Sequence, residues 1–480
     1  MGGVNIKLIS LRNIDIKAGE KFLFNIESLD INTGDRIGLI GANGSGKSTF
    51  IKNIRENLDK KGVWAYQDQE KFELRGDYKQ ESIWGVNHLN HDYDKYSGGE
   101  KMKTSLAYIF SIRADIYVFD EPTSQLDMEG FEKFISMVKN LDTYIIISHD
   151  RNILDLLTDK TLVIKEKKLL TFPGNYSNYL QWEITDTKRQ WTEYENYINE
   201  KTRLEAAAEA KKRQAKKAVK KPKGKTSNEI KQIDFGSLGK SKGGKAKSLS
   251  SQARHIEKRI EQLEVKEKPE NLPSMKIEYN LTNPPKNKIV IYSENLNFSY
   301  KDKEIFRATS FFFKREEKIA LIGKNGCGKT TLLSLIYKKY KDIYTVPKLK
   351  IGYLTQEMNH LIKSKTVYDN LKSVSIQNET INRIILKRVG FDKNSLNKEV
   401  RVLSSGEKVK LCLAMFCVAD INFLMLDEPT SFLDIDSIKI IEQLLIEYEG
   451  SILFVSHDQR FIDNVADKRW VIEDKKIREI

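Results

Sequence analysis

A chain of 480 residues exceeds what one hydrophobic core organises, and an allowance of roughly 100–200 residues per domain predicts two or three domains. Apolar residues make up 40% and charged residues 31%, and no window reaches the roughly 20 uninterrupted apolar residues of a membrane span, so a bilayer-crossing chain is excluded. The net charge of +14 is concentrated: residues 201–247 hold sixteen Lys and Arg against four acids (Glu205, Glu209, Glu229, Asp234), which leaves the flanking regions close to neutral.

The opening MGGVNIKLISLRNIDIK lacks the apolar core and small-residue cleavage site of a secretory signal, and a cytoplasmic protein is the expectation. The apolar run RIGLI at 36–40 then enters GANGSGKS at 41–48, followed by proline-free sequence suited to a helix. Strand, glycine loop and helix in that order form a phosphate-binding element. Its glycines let backbone N–H groups converge on an anion, and the helix adds the positive end of its dipole. Gly41, Gly44 and Gly46 are expected to cradle phosphates with Asn43 and Thr49 beside them, Lys47 to reach the β and γ oxygens, and Ser48 to ligate Mg²⁺. Further on, VFDEPTSQLD at 118–127 places Asp120 at the end of an apolar run, where a strand-end acid holds Mg²⁺ through its water shell. The next residue, Glu121, is placed to orient and polarise an attacking water. His149, near the end of IIISHD at 145–150, is placed to contact the γ-phosphate, although a lone histidine is more often structural.

Between Tyr176 and Lys221 there is neither Gly nor Pro, and Tyr176, Tyr179, Trp182, Trp191, Tyr194 and Ile198 recur at helical spacings. The pattern predicts one long helix stopped by Pro222, about 68 Å over residues 177–221 at roughly 1.5 Å per residue. A second helix is predicted from about Ser250 to Lys268, with Ile256, Ile260 and Leu263 on one face and Pro269 as its stop. The segment is therefore expected to be an αα-hairpin with a basic, Lys/Gly/Ser-rich tip, in which Ile233, Phe235 and Leu238 are apolar residues amid charge. Such a block of charge attracts phosphate backbones or anionic headgroups. A solvated tether over residues 223–248 is the plain alternative.

Every motif of the first half then returns in order. KIALI at 318–322 enters GKNGCGKT at 323–330, so Gly323, Asn325, Gly326, Gly328, Lys329, Thr330 and Thr331 repeat the first loop, with Thr330 as the second Mg²⁺ ligand. MLDEPTSFLD at 425–434 repeats the acidic motif, with Asp427 for the metal and Glu428 for the water, and LFVSHD at 453–458 supplies His457. YSGGE (96–100) and LSSGE (403–407) precede the two acidic motifs. Both halves read as α/β domains with ligand-binding groups at the carboxyl ends of buried parallel strands. The three cysteines, Cys327, Cys412 and Cys417, cannot build a disulfide framework, and packing is their expected role.

With both YSGGE and LSSGE beside two phosphate loops, the chain resembles the ATP-binding cassette superfamily, whose signature loop is usually LSGGQ or LSGGE. The resemblance implies two cassettes packed head to tail. Each ATP then lies between one phosphate loop and the other half's signature, Ser97, Gly98 and Gly99 or Ser404, Ser405 and Gly406. It also matches Gln69 and Gln356 to the Q-loop, a further contact to nucleotide and Mg²⁺, and Asp127 and Asp434 to the D-loop. Ser405 departs from the glycine expected there. Tyr300 matches the aromatic residue that stacks on adenine, whereas its counterpart 282 residues earlier is Ala18, so the two sites are expected to hold adenine differently.

Tandem cassettes joined by a long basic helical hairpin resemble the ABC-F proteins, which lack membrane domains and act on ribosomes. That resemblance implies cassettes at 1–182 and 286–480 around a linker at 183–285, in a monomer that pairs its own cassettes. It implies binding near the tRNA exit site, with the linker reaching towards the P-site tRNA and the large-subunit rRNA of the peptidyl-transferase centre. The distance from Gln69 to Ser97 is 28 positions against 48 from Gln356 to Ser404, so the first half has a short helical subdomain. That pattern, with the extended linker, is similar to antibiotic-resistance members, which protect ribosomes from lincosamides, pleuromutilins and streptogramin A. A housekeeping ABC-F translation factor, a transporter's ATP-binding subunit and a DNA-associated ATPase are the alternatives.

Overall fold

The computed structural model describes residues 6–57, 63–67, 84, 98–123, 126, 128–219, 235–269, 285–301, 303–324, 326–355, 357–358 and 360–480. Two compact units account for the chain: one takes in both repeats, and the other is the intervening segment Leu180–Leu272.

The first repeat runs β1 (Lys7–Ala18), β2 (Lys21–Asn32), β3 (Arg36–Gly41), α1 (Lys47–Asn57), β4 (Trp64–Gln67), α2 (Gly98–Ser111), β5 (Ile116–Asp120), α3 (Met128–Val138), β6 (Tyr144–Ile147), α4 (Arg151–Leu157), β7 (Lys160–Lys165) and β8 (Lys168–Pro173). Its sheet has the order β1-β2-β8-β7-β3-β6-β5-β4, and the strands from β7 to β4 run parallel. These strands are near-continuous apolar runs because helices cover both faces of such a sheet. Tyr144–Ile147, for example, is buried along its whole length. The phosphate loop leaves β3, which lies between β6 and β7, so it opens at the point where the strand order reverses and ligands characteristically bind.

The intervening unit is built on α5 (Tyr176–Val219), a single helix of 44 residues, and α6 (Phe235–Glu261). The predicted long helix is present. The second differs from expectation, beginning fifteen residues before Ser250 and ending at Glu261 rather than Lys268. Gly236, Gly239, Gly243 and Gly244 all lie within it, each less favourable than Ala by about 1 kcal/mol in a helix. A tether therefore does not describe residues 235–248. Along the seam of the two helices Leu204, Ala208 and Ala215 on α5 and Ala246 and Ala253 on α6 are buried. Antiparallel ion pairs flank the seam, Glu193 with Lys266, Glu200 with Arg259 and Glu257 with Lys212. The aromatic stripe is only partly used, with Tyr176 and Tyr179 buried but Trp182 and Ile198 exposed.

The second repeat comprises β9 (Ile289–Tyr300), β10 (Lys303–Lys314), β11 (Lys318–Ile322), α7 (Lys329–Tyr337), β12 (Tyr344–Thr345), β13 (Ile351–Leu354), α8 (Val367–Val374), α9 (Glu379–Arg388), α10 (Ser405–Val418), β14 (Phe423–Asp427), α11 (Ile435–Glu447), β15 (Ser451–Val455), α12 (Gln459–Val465), β16 (Lys468–Glu473) and β17 (Lys476–Glu479). Its central sheet, β13-β14-β15-β11-β16-β17, repeats the order β4-β5-β6-β3-β7-β8 of the first. The two N-terminal hairpins superpose in sequence at the 282-residue offset, β1 on β9 and β2 on β10, down to their end residues. Cys412 and Cys417 are packed in the apolar core around α10, as expected, and Cys327 is half-buried in the second phosphate loop. Among the described residues no helix is long and apolar enough to cross a membrane.

Candidate active site

Both phosphate loops take the same backbone course. Gly46 and Gly328 stand at φ +104° and +111°, a left-handed conformation that favours glycine. A Cβ at either would lie 2.8 Å from Leu23 Cδ1 or 2.5 Å from Ile305 Cγ2, so space and conformation exclude a side chain together. Gly41, Gly44, Ser48 and Thr49, with Gly323, Gly326, Thr330 and Thr331, occupy these loops and the first turns of α1 and α7. Each loop folds its lysine back on itself. Lys47 Nζ donates to Gly41 O (2.7 Å) and Ala42 O (3.2 Å), and Lys329 Nζ to Gly323 O (2.8 Å) and Lys324 O (3.3 Å). Burial pushes the Lys47 amine down, against the attraction of Glu121, Asp434 and Asp120.

The acidic motifs end β5 and β14 and face these loops. In the second half burial raises the Asp427 carboxyl, against the pull of the Thr330 hydroxyl, so the two groups expected at Mg²⁺ are neighbours. In the first half Asp120 accepts from the Tyr66 hydroxyl at 3.4 Å. Glu121 and Glu428 both have positive φ, +50° and +54°, and their N–H groups are tied to the neighbouring strand at Ile147 O (2.8 Å) and Val455 O (3.0 Å). The carboxyls thus turn off the strand line towards the histidines. His149 Nε2 lies 3.6 Å from Glu121 Oε1, and His457 Nε2 lies 3.3 Å from Glu428 Oε1. Burial pushes both glutamates up to about 8, with the adjacent aspartate adding to it, and holds His149 down near 4; His457 is lowered for the same reason.

The second signature begins a helix. Ser404 caps α10 in a reciprocal arrangement with Glu407: its hydroxyl accepts from Glu407 N (3.2 Å), and its own N–H donates to Glu407 Oε2 (2.8 Å). Ser405 is the first helical residue, exposed and without positive φ, so the departure from glycine meets no obstacle there. Gly406 is the restricted position, since a Cβ would lie 2.6 Å from Phe432 O. That oxygen belongs to the loop that crosses to the other half. Asn43 N donates to Asp434 Oδ2 (3.0 Å) and Asn43 Nδ2 to Phe432 O (3.2 Å), bonding the first phosphate loop to the second half's D-loop. The bonds from Ser437 and Asn43 outweigh burial and hold Asp434 below the usual carboxylate range. Gly98 and Gly99 open α2 in the corresponding place.

Tyr300 is 54% exposed at the end of β9, its ring edge-on to Phe298 at 4.8 Å, and Ala18 ends β1 at the equivalent position, also exposed. Gln69, Ser97, Asp127, Ile233, Asn325 and Gln356 lie outside the described residues, and Phe235 and Leu238 fall on the first turn of α6.

Sequence reasoning missed a buried charge cluster behind the sites. Arg151, immediately after the first Ser-His-Asp, donates through Nη2 to Glu442 Oε1 (2.5 Å) and Asp458 Oδ2 (2.9 Å) across the seam, with all three side chains at most 9% exposed. Burial opposes the Arg151 charge, and the two carboxylates more than restore it. Arg460, two residues after the second Ser-His-Asp, bonds Asp155 and Ser177 of the first half. An arginine follows each histidine motif, but no local signal marks its pairing, because the partners lie about 300 positions away.

The family model described as ABC transporter matches residues 24–86 and 306–431. The chain is 34% identical over 489 residues to the erythromycin resistance ATP-binding protein MsrA of Staphylococcus epidermidis, covering 99% of this chain and 98% of that protein. It is 28% identical over 495 residues to the ribosome protection protein VmlR of Bacillus subtilis, covering 98% and 88%. Among solved structures, RNase-L Inhibitor superposes with a TM-score of 0.62 at 19% identity, over 95% of this chain and 88% of that one, a likeness of fold. Two phosphate loops with paired acids and histidines, set in repeated cassettes around a helical hairpin and matched end to end by such relatives, place the chain in the ABC-F family of ATPases.

Proposed function

We propose that this ATPase is a ribosome-binding switch whose hairpin, in residues 183–285, protects the peptidyl-transferase centre from antibiotics. The observation that carries the switch is the bond from Asn43 to Asp434 and Phe432, because it makes the first phosphate loop part of the seam between the halves. ATP bound between a phosphate loop and the opposite signature strengthens that seam, and loss of the γ-phosphate weakens it. Lys47 and Lys329 exchange their loop carbonyls for phosphate oxygens. Ser48 with Asp120 and Thr330 with Asp427 suit Mg²⁺, which takes one or two protein ligands beside phosphates and water and neutralises phosphate charge. Glu121 and Glu428 orient the attacking water, the backbone N–H of His149 holds the Glu121 carboxyl through Oε2 (3.4 Å), and the rings of His149 and His457 contact the γ-phosphate.

The ribosome reading is supported by the relatives' names and by the hairpin. A helix of 44 residues is about 66 Å long at roughly 1.5 Å per residue, and its surplus of positive charge suits rRNA and tRNA phosphates. Lincosamides, pleuromutilins and streptogramin A are the proposed drugs, and the name of MsrA adds erythromycin to the panel.

The test pairs Glu121→Gln with Glu428→Gln. The double variant is expected to stay on ribosomes in a pelleting assay with ATP and to halt translation. Unchanged dissociation overturns the reading. A growth-inhibition panel with those four drugs, run beside a drug-efflux measurement, separates protection from a transporter role, which predicts efflux.

A further inference from the structure

The two histidine loops carry their arginines one position apart, and the shift has a geometric result. Asp150 is followed directly by Arg151, whereas Asp458 is followed by Gln459 and then Arg460. Both aspartates cap the helices that follow, α4 and α12, so the arginines differ by one helical step, about 100° of rotation. Arg151 consequently points into the opposite cassette at Glu442 and Asp458. Arg460 points instead to the place where the linker helix begins.

Three elements meet there. Asp155, in α4 of the first half, accepts from the backbone N–H of Ser177 (2.6 Å) through Oδ1 and from its hydroxyl (2.9 Å) through Oδ2, so it caps the first turn of α5 from outside. Arg460 bonds the same Asp155 carboxylate and the Ser177 hydroxyl, and its guanidinium stands 5.5 Å over the ring of Tyr176, which is fully buried. At the corresponding place in the second half Asp463 pairs with Gln459 and Arg469 of its own half, so among the described residues the arrangement is one-sided.

We propose that Arg460 is a positioning residue that links the nucleotide state sensed at His457 to the first turn of the linker helix. The route is short. His457 faces Glu428 at 3.3 Å, Asp458 follows it as the cap of α12, and Arg460 lies in that helix's first turn with its Nη2 on Asp155 and Ser177. A shift of the His457 loop moves α12 as a rigid piece, because a seven-residue helix fixed at its cap has little freedom to absorb it. The guanidinium then either keeps or loses its two acceptors, and the cap on α5 tightens or frays with it. Both bonds leave one nitrogen, Nη2, while the plane of the guanidinium lies over Tyr176; a lysine ammonium can keep the first contact but not the stacked plane. The proposal rests on the ATPase chemistry alone and does not need the ribosome.

The test is hydrogen exchange of the amides of residues 176–186 in the isolated full chain, with and without ATP, in the Glu121→Gln plus Glu428→Gln background. Exchange at this root is expected to slow when ATP binds. Adding Arg460→Ala is expected to abolish that ATP dependence, and Arg460→Lys to restore only part of it, while binding of a fluorescent ATP analogue stays within about twofold. Exchange across β5 and β14 serves as the folding control. A root that responds to ATP equally with Arg460→Ala, or that does not respond even with Arg460 present, overturns the proposal. Neither result bears on ribosome binding, which the pelleting assay decides separately.

Discussion

Replacing Arg151 with methionine removes the cation from a buried site where two carboxylates, Glu442 and Asp458, converge from the other cassette. At an effective dielectric of about 20 and a charge separation of ~4 Å, each pair is attractive by ~4 kcal/mol before the cost of desolvation. Burying the three ions costs several kcal/mol apiece, so the intact cluster contributes little net stability, but leaving the acids uncompensated costs about 3–5 kcal/mol. Asp150, which burial already raises to about 6 and which feels Asp458, adds to the strain on the unpaired acids. Arg151→Met alone should therefore loosen the seam by about that amount, and adding Glu442→Leu should recover a large part of it. The assay is a double-mutant cycle in urea, read by hydrogen exchange at the α4 and α12 amides, which separates the seam from the cassette cores. A coupling energy of ~2 kcal/mol or more is expected; additivity within about 0.5 kcal/mol would show that the two residues do not act as a pair and would refute the reasoning.

Tyr300→Ala should weaken ATP at the second site by about 5–10-fold, the worth of one aromatic stack, and Ala18→Tyr should strengthen the first. Titration of a fluorescent ATP analogue, with Lys47→Ala or Lys329→Ala silencing the other site, measures both; equal effects of zero would remove the adenine role from Tyr300. Gly406→Ala should push Phe432 and loosen the Asn43 contact at a cost of about 1–3 kcal/mol, lowering kcat/KM for ATP, whereas Ser405→Gly should change stability by no more than about 0.5 kcal/mol. Steady-state ATPase kinetics test the pair, and a larger effect at Ser405 would contradict the exposed position assigned to it.

The phosphate loops, the acids and the histidines were legible because each needs particular residue types at fixed spacing, and the internal repeat reported them twice in the same order. The α/β class and the placing of the motifs at the ends of buried parallel strands were legible with them; the strand order was not, because no motif says which strands are neighbours. The early start of α6 was not legible, because local propensity at Gly236, Gly239, Gly243 and Gly244 argues against a helix. Concern over Ser405 came from counting along a motif without knowing that the helix starts there, which moves the steric restriction to Gly406. Arg151 and Arg460 were invisible for another reason, because their partners lie about 300 positions away in the chain and no local pattern announces a pairing across two domains.

The left-handed backbone at Glu121 and Glu428 sets the terms on which these acids can be exchanged. A residue with a Cβ held there carries a conformational penalty of about 1–2 kcal/mol, which asparagine or glycine would largely relieve. Both halves bear that penalty at a largely buried carboxyl, where the side chain itself is costly to ionise. Glycine substitutions at these two positions are therefore the changes most apt to yield a sturdier protein with no turnover, a separation of durability from chemistry that few other sites in the chain offer.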